Sequence, residues 1–578
     1  MALRVALVTP FAWSQPHDVN EHVAGLAREL RARGHAVTIL APSNRARDLA
    51  AGRRALAAGL RDEEVVAVGP AVPISRRSRM GVPVGVRANL VFALATGGFD
   101  VVHGFEPGLP SLSYLALRDT SALTVATFFS PERLAYPPAR TRRERLLSRL
   151  DALLATSPDT AEAAAERFPG SYELVPAGVD LELFAPDAKR KTIVLEWRQA
   201  ERPLLRSLVR ELEAQPDWDL VFLRTRPLAS RPPLPRALRG RLRVRTALDG
   251  TARAEVLRGA AVFVPALAGV ARVELEARAA GAAVVSPHGR ALQPELAAAE
   301  AARLMEDDEF RARRAEEGKV QAASQSFGAL ADQVTAVYAA VAARRRRPPT
   351  SRTPLDNRDW IVVDLHMHTT WSHDCSIEVD DLLEHAESEG LGAIAVTDHN
   401  VFGGALDAVE RARGHDLIVI PGEEVKTAGQ GEVIGLFLRE EIPPGLGFAE
   451  TIEAIRVQGG LVYLPHPFDR LHAIPDAATL HRHLAEIDVF EVYNARLLFE
   501  GYNVEALRFA RKYNLTAGAG SDAHVLPGVG TGAVRMRRFE GPEEFLVSLR
   551  SAEVLRRPKS LAYLQGLKWV AQAKERVR

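Results

Sequence analysis

In the second half of the sequence, short apolar runs repeatedly end in side chains that can bind a metal ion. The first run, Trp360 to Val363, leads into Asp364, His366 and His368. Because alternate side chains of a strand point to the same face, His366 and His368 can direct both imidazoles to one position. Neutral imidazole is a good ligand for Zn, Fe and Mn ions. The run therefore predicts a strand that ends in a metal site.

Six further apolar runs follow, and each carries potential ligands at one end. The runs and these residues are Ala393 to Val396 with Asp398 and His399, Leu417 to Ile420 with Glu423 and Glu424, Val433 to Leu438 with Glu432, Leu461 to Leu464 with His466, Val489 to Tyr493 with Asn494, and Thr516 to Gly520 with Asp522 and His524. Helical segments lie between the runs, such as 377–389, for which Ser376 is the expected N-cap. Seven such repeats predict a (β/α) barrel, in which functional side chains collect at the C-terminal ends of the strands.

The first half of the sequence predicts two α/β units. Residues 4–9 have the pattern of a buried strand, 19–33 have helical spacing and end before Gly34, and 36–40 have the pattern of the next strand. This order predicts a doubly wound sheet. A second unit begins near Thr192 and closes with an amphipathic helix at about 329–343. The expected domains are 1–185, 186–343, a linker at 344–358, a barrel at 359–558 and a C-terminal helix at 559–578.

Composition narrows the class of protein further. The 578 residues carry a net charge of +1, which gives no specific signal for nucleic acid. The single cysteine, Cys375, cannot form an intramolecular disulfide, so a cytoplasmic location is expected. No apolar run is long enough for a transmembrane helix, and the opening run reads as a first strand. The run Arg344 to Arg347 is interpreted as a solvated helix end, while peripheral membrane contact and the oligomeric state stay open.

Five motifs in the second half resemble those of a known family. They read DLHMHTTWSHDCS, VTDHN, PGEEV, PHP and GSDAH, and span about residues 360–525. They resemble the motifs of the polymerase and histidinol phosphatase (PHP) family of metal-dependent phosphoesterases. The resemblance implies a distorted (β/α)7 barrel with two or three divalent ions (Zn, Mn or Fe). It also implies hydrolysis of a phosphate ester by a metal-bound hydroxide, so Cys375 is not an expected nucleophile.

By the same resemblance, eight residues are metal ligands. One ion would take His366, His368, Glu424 and Asp522, which are also the expected catalytic residues; Glu424 would bridge to a second ion held by His466; a third would take Asp374, His399 and His524. Glu432 stands where some members of the family have a further histidine. The expected hydrogen-bond partners of the ligands are Asp364, Asp398 and Asn494, and the expected phosphate contacts are Lys426, Arg470 and Arg496.

Four stretches of the first half resemble another family. EHVAGLARELRARGHAVTILAPS, DVVHGFEPGLPSLSYLAL, VPAGVDLELFAP and ELEARAAGAAVV resemble GT-B glycosyltransferases of the phosphatidylinositol mannosyltransferase kind, over about residues 1–343. The resemblance implies two Rossmann-like domains that bind a nucleotide sugar. Arg198 and Glu276 remain as donor-binding positions, but no lysine accompanies Arg198, and Ala268 replaces a glutamate. Each lost charge-assisted hydrogen bond is worth about 1.5–3 kcal/mol, so we expect this half to be catalytically degenerate.

The leading hypothesis is therefore a metal-dependent phosphoesterase with a degenerate glycosyltransferase-like module. Its substrate would be a phosphorylated small molecule, a nucleotide or a lipid-linked phosphate. One alternative is an active glycosyltransferase that uses a nucleotide sugar, with the second half trimming or regulating its product. Another is an amidohydrolase, which also begins with a pair of histidines but commonly uses a bridging lysine. The last is a non-enzymatic binding or scaffold protein.

Overall fold

A computed structural model of the chain describes residues 2–60, 63–75, 78–80, 85–226, 230–266, 271–286, 293–346, 355 and 357–557. The chain divides into two compact units, Met1–Ala342 and Ala343–Arg578. In the described part of the chain, no helix combines the length and the apolar character needed to cross a membrane. The expected helix at 559–578 and most of the expected linker at 344–358 lie outside the described residues.

Two parallel sheets form the first unit, as the sequence predicts. The strands are β1 (Arg4–Val8), β2 (Ala36–Ser43), β3 (Val65–Pro70), a hairpin of β4 (Val72–Ser75) and β5 (Ser78–Met80), β6 (Val101–Phe105), β7 (Leu123–Phe128), β8 (Ala152–Ala155), β9 (Tyr172–Leu174), β10 (Arg190–Glu196), β11 (Asp219–Arg224), β12 (Leu242–Thr246), β13 (Ala260–Val264) and β14 (Ala283–Val284). The first sheet has the order β3-β2-β1-β6-β7-β8-β9 and the second β12-β11-β10-β13-β14. Strands such as β7 and β13 are buried along their whole length, because helices cover both faces.

Twelve helices accompany these sheets among the described residues. They are α1 (Asp18–Ala32), α2 (Ala46–Ala57), α3 (Arg87–Thr96), α4 (Leu112–Asp119), α5 (Arg140–Leu147), α6 (Pro158–Arg167), α7 (Arg202–Ala214), α8 (Gly250–Leu257), α9 (Ala271–Ala279), α10 (Pro294–Glu306), α11 (Asp308–Ser324) and α12 (Phe327–Ala342). Helix α1 buries the predicted face of Val23, Leu26, Ala27 and Leu30. Gly34 follows it with a φ of +84°, in the left-handed region that favours glycine at a helix end.

The last helix of this unit packs on the first sheet rather than on the second. Helix α12 lies against α1, and the Tyr338 hydroxyl is 2.8 Å from His103 Nδ1 in β6. The Phe327 ring fits between Gly25 and Gly178, where an added Cβ would lie 2.3 Å and 2.5 Å from the ring. The expected boundaries assigned this helix to a second domain at 186–343. In the structure it belongs with the first sheet.

One nine-stranded sheet forms the second unit. Its strands are β15 (Trp360–Met367), β16 (Ala393–Val396), β17 (Ile418–Lys426), β18 (Glu432–Leu436), β19 (Leu461–Leu464), β20 (Val489–Asn494), β21 (Thr516–Gly520), β22 (Gly532–Arg537) and β23 (Glu553–Arg556). Their order is β21-β20-β19-β18-β17-β16-β15-β22-β23. A bridge between Met367 and Ala523 brings β15 beside the end of β21, so seven strands nearly close a barrel. Gly520 permits this approach, because a Cβ there would lie 2.3 Å from the Cβ of His366.

Strand β18 departs from the predicted strand and helix repeat. It follows β17 through a tight connection and is antiparallel to both β17 and β19. The first residue of β18, Glu432, therefore lies at the barrel end where the parallel strands finish. Because β18 runs in the opposite direction, Glu432, which precedes its apolar run, lies at the same barrel end as the polar residues that follow the parallel strands.

Six helices accompany the barrel among the described residues. They are α13 (Val379–Ser388), α14 (Gly403–Arg411), α15 (Phe448–Val457), α16 (Ala477–Arg482), α17 (Glu500–Tyr513) and α18 (Gly541–Leu549). The prediction that Ser376 caps α13 is wrong, because the helix begins later and Glu378 is its N-cap. Part of the expected solvated arginine run also packs on the barrel unit. Arg345 Nε donates to the Lys512 carbonyl at 3.0 Å, and Arg346 pairs with Asp488 at 3.2 Å.

Gly25→Ala tests the packing of α12 on the first sheet. The new methyl group would collide with the Phe327 ring, which cannot retreat because Gly178 closes its other side. We expect the free energy of unfolding of the first unit to fall by about 1–3 kcal/mol, measured by calorimetry of the full chain. Gly328→Ala is the control, since its Cβ would make only ordinary contacts from 3.6 Å and alanine favours a helix. Equal stability of the two variants would contradict this packing.

Candidate metal centre

A buried carboxylate, Glu424 in β17, lies at the centre of the candidate site. Its Oε2 is 3.2 Å from His366 Nε2, 3.1 Å from His399 Nδ1 and 3.5 Å from His368 Nε2. Its Oε1 is 3.0 Å from His466 Nε2. Four imidazoles from the ends of β15, β16 and β19 therefore surround one carboxylate.

A second carboxylate, Asp522, follows β21 and faces His366 and His368. Its Oδ1 is 3.4 Å from His368 Nε2, 4.0 Å from His366 Nε2 and 3.0 Å from Arg496 Nη1. The backbone of Asp522 has a φ of +53°, a conformation that costs a residue with a Cβ on the order of 1–3 kcal/mol. Such strain is common where a side chain must point into a functional site.

Asp374, His399 and His524 form a third group beside the first two. His524 Nε2 is 3.1 Å from Asp374 Oδ2, and His399 Nε2 is 3.8 Å from Asp374 Oδ1. The rings of His399 and His524 pack on the ring of His368, with centroids 4.3 Å and 4.4 Å away. The structure thus brings all eight sequence-predicted ligands together at one end of the barrel.

The donor atoms suit divalent cations. Ligand atoms lie within 4.8 Å of one another in four sets, which are His368 with His399 and His524, His366 with Glu424 and His466, His366 with His368 and Asp522, and His399 with Glu424 and Glu432. His368 Nε2 is buried and, among the described residues, has no hydrogen-bond partner. Burial lowers the pKa of His368 well below its ordinary value, which leaves a neutral imidazole with a free lone pair. A cation would satisfy this nitrogen, and imidazole with carboxylate suits Zn, Mn or Fe.

Glu424 also holds protons on three of the imidazoles, those of His366, His399 and His466. Burial opposes protonation of His399 and His466, but Glu424 outweighs it and raises the pKa of each to about 9. The pKa of His366 lies well above its ordinary value for the same reason. Burial likewise opposes ionisation of Glu424, but His366 and His399 outweigh it and hold its pKa well below its usual range. Because a bound cation must displace these protons, metal affinity should weaken as the pH falls.

Glu491, in β20, is a hydrogen-bond partner of the candidate ligands His366 and His466 that the sequence did not reveal. Its Oε1 is 3.2 Å from His366 Nδ1 and accepts the Tyr463 hydroxyl at 2.8 Å. Its Oε2 accepts the backbone N–H of His466 at 2.6 Å. One signal could have found it: Glu491 is a charged residue inside the apolar run from Val489 to Tyr493. A charge in a fully buried strand needs a partner.

The prediction that Asp364 fixes the tautomer of a histidine ligand is wrong. Its carboxylate accepts the backbone N–H groups of Ser521 and Gly530, each at 2.9 Å. Asp364 lies deeper in the barrel than His366, so its short side chain reaches the backbone beyond β21 instead of an imidazole. Burial raises the pKa of Asp364 to about 6 against these hydrogen bonds.

The other two expected partners lie close to the ligands. Asp398 accepts the Ser372 hydroxyl at 2.6 Å, and that oxygen is 3.4 Å from His368 Nδ1. Asp398 therefore reaches the imidazole through a hydroxyl group. The Asn494 side-chain amide donates to Glu491 at 3.0 Å and to Asp522 at 3.2 Å, so one amide holds two carboxylates in place.

A cavity of about 760 Å³ is lined by five of the eight candidate ligands, Asp374, His399, His466, Asp522 and His524. Lys426 and Arg496, two of the expected phosphate contacts, line it. Arg496 Nη1 lies 3.0 Å from Asp522 Oδ1 and 3.1 Å from His524 Nε2, at the edge of the ligand cluster. The third expected contact, Arg470, is exposed and is not part of the cavity wall.

In the first unit, protein charges already neutralise both remaining donor-binding positions. Glu276 is fully buried and accepts two hydrogen bonds from Arg253, at 2.5 Å and 2.7 Å. Arg272 adds a contact to Glu276 at 3.2 Å. Arg198 Nη2 pairs with Glu196 at 2.7 Å. The substituted position Ala268 lies outside the described residues.

Comparison with known protein families matches each half separately. The model of Glycosyltransferase Family 4 matches residues 19–183. The model of the PHP domain matches residues 364–487, and that of the PHP-associated region matches residues 500–554. The matched PHP residues include the first six of the eight clustered ligands, up to His466.

Comparison with individual proteins finds relatives that match part of this chain and most of their own length. An uncharacterised protein of Methanocaldococcus jannaschii is 35% identical over 212 residues, which are 34% of this chain and 84% of that protein. A phosphatidyl-myo-inositol mannosyltransferase of Propionibacterium freudenreichii is 32% identical over 371 residues, 58% of this chain and 94% of that protein. A glycosyltransferase structure from Rickettsia africae has 13% identity and a TM-score of 0.42, covering 59% of this chain and 98% of its own.

Glu491→Gln tests whether the missed carboxylate prepares His366 for metal binding. A carboxylate favours a proton on Nδ1 and leaves the Nε2 lone pair toward Glu424, whereas an amide can donate to Nδ1 and favour the wrong tautomer. We expect the affinity for Mn²⁺ or Zn²⁺ to fall roughly 10–100-fold, measured by calorimetric titration. The exposed Glu453→Gln is the control. Unchanged affinity in a folded Glu491→Gln protein would exclude this role.

Proposed function

We propose that this chain, which belongs to glycosyltransferase family 4 through its first half and to the PHP domain family through its second, is a metal-dependent phosphoesterase. The observation that carries the proposal is the convergence of His366, His368, Glu424, His466 and Asp522 at one barrel end. Histidine and carboxylate ligands at several strand ends are typical of hydrolytic metal sites. Two or three divalent ions, of Zn, Mn or Fe, are the proposed cofactors.

Different residues of the chain would hold each ion and orient the ligands. His366, His368, Glu424 and Asp522 would hold one ion, Glu424 and His466 a second, and Asp374, His399 and His524 a third. When bound, such cations activate water as a nucleophile and neutralise the charge of a phosphate. Glu491 and Asn494 would keep the ligands oriented.

Arg496 and Lys426 support the choice of a phosphate ester as substrate. Both cations line the cavity that opens onto the ligands. Arginine offers several N–H donors in a fixed plane that match phosphate oxygens. Arg496 already pairs with Asp522, so phosphate binding would compete with that contact or share it. The proposed substrates are a phosphorylated small molecule, a nucleotide or a lipid-linked phosphate.

His366→Ala tests the proposed activity. With Mn²⁺ or Zn²⁺ added, the purified full chain should release phosphate from some members of a panel of phosphomonoesters. The substitution removes a ligand that also contacts Glu424 and Glu491, so we expect activity to fall to background and metal content to drop. The control is His385→Ala, in helix α13 away from the ligands. Metal-loaded protein that hydrolyses no phosphate ester would refute the proposal.

We further propose that the first half does not transfer sugar. Glu276 would have to leave two hydrogen bonds from Arg253 and a contact with Arg272 to receive a sugar hydroxyl. Breaking a buried ion pair in this way leaves uncompensated charge, which costs about 3–5 kcal/mol. The family match favours the alternative of an active glycosyltransferase, so a direct test is needed.

Thermal shift with nucleotide sugars separates these two possibilities. A ligand that binds only the folded state raises the unfolding temperature with its concentration. We expect UDP and GDP sugars to produce no shift in the full chain, while Mn²⁺ raises the transition of the second unit and serves as the positive control. A shift that grows with nucleotide-sugar concentration, together with measured sugar transfer, would establish the alternative.

A further inference from the structure

Apolar side chains line the same cavity that holds the candidate ligands. Leu471, Leu497 and Leu498, called here the apolar rim, line it together with His466, Asp522 and His524. Leu471 lies in the loop after β19, and the other two lie in the loop after β20. Two separate loops therefore contribute leucines to one opening.

Two of the three leucines of the apolar rim, Leu471 and Leu498, are exposed to solvent, and Leu497 is half-buried. The exposed fraction is 58% for Leu471 and 60% for Leu498, and the next residue, Phe499, is 51% exposed. A single exposed leucine needs no explanation, but apolar side chains grouped at the opening of a pocket mark a binding surface. Because Leu471 and Leu498 are more than half exposed, packing within the protein does not account for their apolar side chains.

The cavity is also larger than a phosphate group requires. Its volume of about 760 Å³ falls within the range of pockets that enclose whole small molecules, roughly 300–1,000 Å³. Its polar part comes from the candidate ligands that line it, from Lys426 and Arg496, and from His373, Asn400, Asp469, His472 and Ser521. A molecule that fills it would place a phosphate against the polar part and a larger group beside the leucines.

We infer that the substrate is a phosphate ester whose leaving group carries a substantial apolar portion. This inference rests on the proposed phosphoesterase function. In the reaction, the oxygen of water forms a bond to phosphorus, the ester P–O bond breaks, and the leaving oxygen takes up the proton that water loses. The alcohol that leaves is the part that contacts the apolar rim. An aliphatic chain and a planar aromatic ring share this chemistry.

Matched substrates and a double variant test the inference. Hexyl phosphate and 2-naphthyl phosphate are compared with glycerol 3-phosphate, in the metal-loaded full chain and in Leu471→Ser/Leu498→Ser. In the unmodified protein, kcat/KM should be roughly tenfold or more higher for at least one apolar ester. In the double variant, the ratio of apolar to glycerol ester should fall roughly tenfold. Because naphthol is intrinsically the better leaving group, a chain is told from a ring by which of the two apolar esters loses more kcat/KM in the double variant. Val457→Ser, 76% exposed on α15 and outside the cavity, should keep the ratio.

A binding measurement separates this inference from the proposed activity. Hexylphosphonate and methylphosphonate cannot be hydrolysed, so their affinities report the cavity alone. Tighter binding of hexylphosphonate, lost in the double variant, would support the apolar rim even without turnover. Equal kcat/KM for all esters and equal affinity of the two phosphonates would overturn the inference and leave the phosphoesterase intact. Absence of hydrolysis with every ester would instead overturn the proposed function.

Discussion

The candidate site of the second unit depends on how the charge of one buried carboxylate, Glu424, is neutralised. Glu424 lies inside the barrel end, where an isolated charge would be costly, and four imidazoles within 3.5 Å surround it. Imidazoles can help neutralise this charge in two ways: they can carry protons themselves, or they can bind a cation together with the carboxylate. Since the same atoms serve both states, the protonated cluster is a competitor of the metal-loaded one.

The barrel creates this arrangement through chain direction as much as through residue type. Parallel strands bring their C-terminal ends to one rim, and the antiparallel β18 adds its first residue, Glu432, to that rim. Glycine completes the closure, because β21 can approach β15 only where Gly520 lacks a side chain. Asp522 and His466, two of the proposed ligands, have positive φ angles of +53° and +27°, which carry a local energetic cost.

The sequence predicted the alternation of strands and helices from periodicity, and the residues that the structure groups at the barrel end from the resemblance of the motifs. It could not predict which neighbour each polar side chain meets. Asp364 was expected to hold an imidazole but holds backbone N–H groups beyond β21. Glu491 carries that task instead, from a strand more than a hundred residues later along the chain. The sequence placed helix α12 with the second α/β unit. Its packing depends on the space that Gly25 and Gly178 leave for the Phe327 ring, and periodicity does not report such space.

The two units use similar residue types to opposite effect. In the first unit, the buried Glu276 is neutralised by arginines, which keep their charge at any accessible pH. In the second, the buried Glu424 is neutralised by histidines, which can give up their protons to a cation. The arginines around Glu276 have no proton to give up to a cation, whereas the histidines around Glu424 can exchange their protons for metal. Neutralisation by histidines therefore allows a cation to replace the protons around Glu424.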